Sequence, residues 1–157
     1  MRPKKNRIIN APPEIVAFKP VGIPTNILKK VYLTIDEYEA IRLADYEKLD
    51  HEQAAKEMEI SRPTFTRLID SARKKVADSI INGKELIIQG GNIHFKNNIY
   101  RCFDCGYTVQ LPIYRNPLNS CPSCGSKRIN NLARQFGHGK CCRHRWRGFW
   151  GCWGFWG

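Results

Sequence analysis

Between residues 34 and 83, apolar side chains recur three and four positions apart, which is the spacing of helices with one buried face. Residues that commonly cap helix N-termini stand at the start of each apolar stretch. They form three pairs: Thr34 with Glu37, Asp50 with Gln53, and Ser61 with Thr64. The pattern therefore predicts three helices, the last of which runs from Ser61 to about Asn82 and stops at Gly83.

Residues 51–70 have the pattern of two short helices joined by a tight turn at Glu59–Ile60. Apolar residues occupy the positions where the two helices must touch: Ala54, Ala55, Met58, Ile60, Phe65, Leu68 and Ile69. This is the helix-turn-helix pattern, whose second helix enters the DNA major groove. The turn departs from the usual sequence, because Glu59 stands where glycine is common. A left-handed glutamate would cost on the order of 1 kcal/mol, so we expect a slightly different turn.

The outward face of the last helix supplies the predicted DNA contacts. Arg67 is the first choice for reading a base, because a guanidinium matches guanine O6 and N7. Three further residues in the first two turns are the next candidates: Arg62, Thr64 and Thr66. Cations farther along the helix are expected to hold phosphates instead. They are Arg73, Lys74 and Lys75.

The inward face of the same helix follows a 3.6-residue period. It is predicted to consist of Phe65, Leu68, Ile69, Ala72, Val76 and Ile80. Ahead of the helices, the basic segment RPKKNR resembles arms that lie along DNA. The proline-rich stretch after it is incompatible with a helix and predicts an ordered segment against the helical core, with one short edge strand. Its apolar residues are Val16, Phe18, Val21 and Ile23.

Composition and charge narrow the class of protein. The chain of 157 residues has a net charge of +12. Residues 32–59 are acidic, whereas residues 126–157 carry seven bases and no acid. A polyanion is the partner that this distribution favours. No apolar run is long enough for a membrane span, and the N-terminus lacks the apolar region of a signal peptide, so we expect a cytoplasmic protein without membrane contact.

Four of the seven cysteines form two C-x2-C pairs, each followed by glycine. The ligands are predicted to be Cys102, Cys105, Cys121 and Cys124. Two tight hairpins of this kind can bring four thiolates to one Zn²⁺, as in a zinc ribbon. Rubredoxins, which bind iron, also use C-x2-C-G and C-P-x-C-G. Their pairs are farther apart, so the short loop favours zinc over iron, although four cysteines bind either metal.

The segments around this module are less regular. Before it, Glu85–Ile88 and Ile93–Phe95 are predicted to be two short strands that pair with each other or across a dimer interface. After it, residues 131–157 combine basic residues with four tryptophans, which suits stacking on single-stranded nucleic acid. A second metal site and a tail that docks on a partner or on its own core are the alternatives.

The residues also carry a family resemblance. The stretch LTIDEYEAIRLADYEKLDHEQAAKEMEISRPTFTRLIDSARKKVADSIINGK resembles sigma factor region 4. The segments MRPKKNR, FKPVGIP, EYEAIRLAD and SARKKVADSIINGK resemble a family of small prokaryotic proteins, the predicted DNA-binding family named domain of unknown function 134, over about residues 1–92. The resemblance implies a sigma-region-4-like DNA-binding domain with a regulatory role. A sigma factor itself needs a further promoter-opening helical region, which this sequence does not offer.

The sequence as a whole predicts a mainly α helix-turn-helix domain followed by a small β zinc ribbon. The predicted segments are an arm (1–31), the helix-turn-helix domain (32–83), a β linker (84–99), the ribbon (100–130) and a basic tail (131–157). We expect a transcriptional regulator that binds double-stranded DNA as a homodimer, with one structural zinc per chain. An RNA- or RNA-polymerase-associated factor and an iron redox carrier remain alternatives. No nucleophile–base pair or phosphate loop is visible, so the sequence does not predict an enzyme.

Overall fold

The computed structural model of the chain describes residues 6–112 and 117–136. The chain divides into two compact units. The first unit comprises Met1–Ile9 with Ile15–Ile93, and the second comprises Asn10–Glu14 with His94–Gly157. The five segments predicted from the sequence are not tested by this division and remain a prediction.

The first unit contains three α-helices and the strands that flank them. A 3₁₀ turn over Thr25–Ile27 precedes β3, and the end of α1 widens into a π-helical turn over Arg42–Tyr46. The elements in chain order are β1 (Arg7–Ile9), β2 (Ala17–Phe18), β3 (Lys30–Leu33), α1 (Ile35–Ile41), α2 (His51–Glu57), α3 (Arg62–Asn82) and β4 (Glu85–Ile88).

The helix boundaries follow from the capping residues, as predicted. Thr34 and Asp50 each form a complete capping box with the residue three positions on. The Ser61 hydroxyl accepts a hydrogen bond from the Thr64 N–H at 3.4 Å and starts α3. At the other end Gly83 has a φ of +60°, and this left-handed conformation ends the helix at little cost for glycine.

The turn between α2 and α3 has standard hydrogen bonding despite its glutamate. Glu59 has a φ of +54°, so it is left-handed. Its N–H donates to the Lys56 carbonyl at 3.1 Å, and the Ile60 N–H donates to the Ala55 carbonyl at 3.0 Å. This pair of bonds is the Schellman motif, which satisfies two carbonyls at the end of α2. The expectation of an altered turn was therefore wrong, because the motif's bonds offset the strain at Glu59.

Three strands form a sheet that the sequence did not predict. Its order is β2-β4-β3, with β2 antiparallel and β3 parallel to β4. Val31 pairs with Leu86, and Leu33 pairs with Ile88, so the four share one buried face. The helix α3 packs against β3. Edge strand β2 is the short edge strand that the proline-rich stretch predicted.

The apolar positions of the first unit are only partly buried as expected. Phe65, Ile69 and Ala72 are completely buried on the inner face of α3, and Leu68 is nearly so. Ile80, in contrast, is 75% exposed, because the last turns of α3 extend beyond the elements that cover the start of the helix. The proline-rich segment also differs from the expectation. Its four apolar side chains are exposed rather than packed on the core: Val16, Phe18, Val21 and Ile23.

The second unit is built on a three-stranded antiparallel sheet with the order β7-β6-β8. Its described core contains Phe95, Ile99, Leu132 and Ala133. The buried Asn98 side chain accepts a hydrogen bond from the Ala133 N–H at 3.1 Å. The elements are β5 (Ile93–Phe95), which spans the boundary with the first unit, β6 (Asn97–Cys102), β7 (Thr108–Pro112), β8 (Ile129–Asn131) and α4 (Leu132–Gln135).

These findings correct the predicted fold class. The described residues form a mixed α/β structure with three small sheets and four α-helices, not a mainly α domain followed by a β ribbon. Strands β4 and β5 have the predicted bounds, but they do not pair with each other. Instead β4 joins β2 and β3, and β5 pairs with β1. Within the part of the chain that the structure describes, no helix combines the length and apolar character that crossing a membrane requires.

Candidate metal centre and recognition helix

The four predicted ligand cysteines lie on two similar turns of the second unit. In the first turn the Gly106 N–H donates to the Cys102 carbonyl at 3.1 Å, and in the second the Gly125 N–H donates to the Cys121 carbonyl at 2.9 Å. Gly106 and Gly125 have φ values of +72° and +74°. A side chain is disfavoured in this conformation, which explains the glycine after each C-x2-C pair.

The thiols converge on one point. All four Sγ atoms lie within 4.8 Å of one another. The Cys102–Cys124 and Cys105–Cys121 sulfur pairs are each 3.6 Å apart. Four sulfurs about 2.3 Å from one tetrahedral metal ion would lie about 3.8 Å apart, so the cluster fits such an ion. The four cysteines can therefore hold a metal, and Zn²⁺ and iron fit this donor set equally well.

Backbone N–H groups favour thiolates at two of these positions. The N–H groups of Cys124 and Ser123 lower the pKa of Cys121 to about 7. The N–H groups of Cys105 and Asp104 likewise lower the pKa of Cys102. Cys124 differs: although the Ser126 N–H acts in the opposite direction, the neighbouring thiols of Cys105 and Cys102 and burial raise its pKa to about 12. The turns thus pre-arrange anionic sulfur at the two buried cysteines, which suits a cation.

The second candidate site is the outward face of α3. Arg62, Arg67 and Lys74 are exposed there. Among the described residues, none of these three cations has a carboxylate oxygen within 4.0 Å, although Asp70 is exposed on the same helix.

Two other predicted phosphate contacts are already bound to carboxylates. Arg73 donates two hydrogen bonds to Asp45, at 2.6 and 3.2 Å, and holds the pKa of that carboxyl below its usual range. Lys75 donates to the Glu37 carboxylate at 2.8 Å. These contacts reduce the positive charge that Arg73 and Lys75 present to a polyanion.

The two predicted threonines are also engaged. The Thr64 hydroxyl lies 2.7 Å from that of Ser61, and the Thr66 hydroxyl lies 2.9 Å from Nδ1 of His51. His51 in turn contacts the ring of Phe65 edge-on. Sequence analysis missed His51, Asp45 and Glu37 as partners of the α3 side chains. The acidic excess of residues 32–59 beside a basic helix was the available signal, but it does not say which charges meet.

Some predictions concern residues outside the described ranges. They include the basic arm at residues 1–5 and the basic, tryptophan-rich tail from residue 137 onward, with its candidate second metal site. The predicted strand between the cysteine pairs is confirmed as β7, which ends at Pro112.

Comparison with known proteins places the chain in a family. A family model described as protein of unknown function DUF134 matches residues 1–96. A UPF0251 protein of Chloroherpeton thalassium is 47% identical over 146 residues, which cover 93% of this chain and 96% of the relative. The UPF0251 protein of Moorella thermoacetica is 40% identical over 143 residues, which cover 91% and 93% respectively.

The alignment with the Chloroherpeton protein extends well past residue 96, where the family model ends. Likeness to that relative therefore includes most of the second unit as well as the first. From the matched region and these identities, the chain belongs to the DUF134 (UPF0251) family.

Proposed function

We propose that this protein binds double-stranded DNA in a sequence-specific manner and regulates transcription, with α3 as the recognition helix in the major groove. The proposal rests on one observation above all. Cations on the outward face of α3 are exposed and unpaired with carboxylates among the described residues, while its inner face is locked into the core.

The packing of α2 on α3 supports this proposal. The buried Ala54, Ala55 and Met58 of α2 lie on the side that contacts α3, and the Schellman turn fixes the direction of the chain between the helices. Two short helices held in this way have the arrangement of a helix-turn-helix unit, which lays its second helix in the groove. In this arrangement the N-terminal half of α3 would contact base edges.

The charges divide the proposed contacts by role. Arg67, in the second turn of α3, would read guanine, which makes it the residue on which specificity depends. Lys74 lies two turns farther along and would contact the phosphate backbone. Arg62 stands at the first position of the helix, where either role is open to it.

Selection of bound sequences from random duplexes, followed by gel shifts on the selected site, tests the proposal. Arg67→Ala should weaken binding by about 1–3 kcal/mol and relax the preference at one base pair. Lys74→Ala should weaken binding to all sequences alike and reduce the salt slope by about one. Lys30→Ala is the control, because Lys30 is an exposed cation on β3, which packs against the buried side of α3.

Failure would be clear in this design. If no sequence is enriched, or if Arg67→Ala binds the selected site as tightly as Lys30→Ala does, α3 is not the recognition helix. Two-fold symmetric selected sites would additionally support a homodimer that reads paired half-sites. Sedimentation of the free protein would measure that stoichiometry directly.

We further propose that the cysteine cluster holds one structural Zn²⁺. All four donors are thiols on short turns, and no further His, Asp or Glu among the described residues joins the cluster, which suits a closed structural site. Metal analysis of the purified protein should find one zinc per chain and no visible absorbance. A coloured protein with stoichiometric iron would contradict zinc and favour an iron redox carrier.

A further inference from the structure

The second unit contains an open cleft of about 500 Å³ that the proposed function does not use. Its walls come from β6, β8, α4 and the segment that begins at residue 117. The polar and aromatic side chains that line it are Tyr100, Asn119, Asn130, Asn131, Arg134 and Gln135.

The sheet register explains why these groups meet. Tyr100 of β6 is the partner of Asn131 of β8, so their side chains share one face of the sheet. The Asn131 side-chain oxygen accepts a hydrogen bond from the Arg134 N–H at 3.2 Å. This bond starts α4 and directs the helix so that Arg134 and Gln135 also line the cleft. The amide NH₂ group of Asn131 remains as a hydrogen-bond donor.

The charge around the cleft favours an anion. The described residues of the second unit include two carboxylates, and each is held by an arginine that does not line the cleft. Glu14 binds Arg101 at 3.0 Å, and Asp104 binds Arg128 at 2.7 Å. Arg134 is exposed, and among the described residues no carboxylate lies within 4.0 Å of it.

We propose that this cleft binds a mononucleotide, with its base beside Tyr100 and its phosphate on Arg134. A phenol ring offers a surface on which any base can stack. Side-chain amides carry both donors and acceptors, which match the edge of a base, and a guanidinium binds phosphate through two parallel hydrogen bonds. The volume lies within the range of small-molecule sites.

The composition of the described lining indicates binding without turnover. It contains no carboxylate, histidine, cysteine or serine that could serve as a nucleophile or a general base. The nucleotide would therefore be a ligand that stabilises this unit rather than a substrate. This inference does not depend on DNA binding by α3, because every lining residue belongs to the second unit.

Calorimetric titration of the full-length, metal-loaded protein with AMP, GMP, CMP and UMP tests the inference. We expect one site per chain for at least one of the four, and at least tenfold weaker binding of ribose 5-phosphate and of inorganic phosphate, which lack the base. Arg134→Ala should weaken nucleotide binding at least tenfold. Asn130→Ala should change the order of preference among the four bases.

A matched variant separates the cleft from general attraction to a basic protein. Arg128→Ala removes the same charge from the same unit, but Arg128 is paired with Asp104 and does not line the cleft. Equal weakening by Arg134→Ala and Arg128→Ala would overturn the inference, as would the absence of nucleotide binding below millimolar concentration. NMR provides a second readout: the side-chain amide signals of Asn119, Asn130 and Asn131 should shift on titration, and that of Gln53 on α2 should not.

Discussion

The two units of this chain are stabilised by different chemistry. The first unit buries large apolar side chains, with Ile35, Met58, Phe65 and Ile69 at most 1% exposed. The described core of the second unit is smaller, and two of its buried side chains are the cysteines Cys102 and Cys121. A small unit that buries little apolar surface generally needs another source of stability, and four converging thiols can provide it through a metal ion.

The difference extends to the polar groups of each interior. In the first unit Asp36, Glu37 and Glu39 are buried, and cations from other elements or neighbouring turns bind them: Arg7, Lys75 and Arg42 respectively. In the second unit the corresponding anions are thiolates. A carboxylate–cation network adjusts to the loss of one member, whereas a tetrahedral metal site needs all four ligands. We therefore expect the second unit to unfold as a whole when its metal is lost.

Removal of the metal is the largest test of this contrast. Structural zinc contributes roughly 10–16 kcal/mol in small zinc-dependent peptides, far more than the described core of the second unit can replace. Treatment with a strong chelator should abolish hydrogen-exchange protection in β6–β8 and leave the amides of α3 protected.

Cys121→Ser should have the same effect as chelation, whereas Ser120→Ala, at the neighbouring exposed position, should not. Persistent protection of β6 in the chelated protein would show that the second unit is stable through its apolar core alone.

Two isoleucines on one helix test the apolar core of the first unit. Ile69 is fully buried and Ile81 is 79% exposed, although both lie on α3. Ile69→Ala should lower the free energy of unfolding by about 2–5 kcal/mol through lost burial and a cavity. Ile81→Ala should change it by no more than about 0.5 kcal/mol. Denaturant unfolding of both variants measures the difference, and a comparable loss for Ile81→Ala would mean that a further surface covers this residue.

The same contrast explains what could be predicted from the sequence. Helix boundaries depend on residues within four positions of each other, so Thr34, Asp50, Ser61 and Gly83 were sufficient to place them. The cysteine cluster was predictable for the same reason, because each C-x2-C-G turn is local and needs only one partner turn.

Long-range pairing was not predictable. Strand β3 pairs with β4 across the three helices of the first unit, and no local pattern near Lys30 announces that partner. The sheet was therefore missed, and the fold class with it. Likewise the 3.6-residue period assigned Ile80 to the core, because periodicity identifies a helix face but not where the covering elements end.

Acidification provides a smaller, specific test of the buried carboxylates. Burial raises the pKa of Glu37, but hydrogen bonds from Lys75, Thr34 and Ser71 outweigh it and hold the pKa below its ordinary value of 4.5. The stabilisation by Glu37 is therefore present above about pH 4.5 and is lost as the pH falls through the lower pKa of the folded protein. Glu37→Gln should cost about 1–3 kcal/mol at pH 7, and this difference from the unaltered protein should shrink below pH 4.

The control for Glu37 is Glu52→Gln, which alters a carboxylate that is 68% exposed and paired with Lys56 on the same helix. Its effect on the free energy of unfolding should stay below about 0.5 kcal/mol at either pH. A pH-independent loss in Glu37→Gln would mean that its hydrogen bonds, and not its charge, carry the stabilisation.

The smallest expected change in stability comes from the ion pair between Asp45 and Arg73, whose side chains are 41% and 49% exposed. Asp45→Asn should alter the free energy of unfolding by less than about 1 kcal/mol, because exposed pairs contribute little. If α3 binds DNA as proposed, the freed Arg73 becomes available to a phosphate, so affinity should rise and the salt slope should steepen by about one. Glu14→Gln likewise frees Arg101 and removes one negative charge, but in the second unit. A steeper slope in Asp45→Asn alone would place the DNA backbone along this part of α3, whereas equal changes in both variants would reflect net charge only.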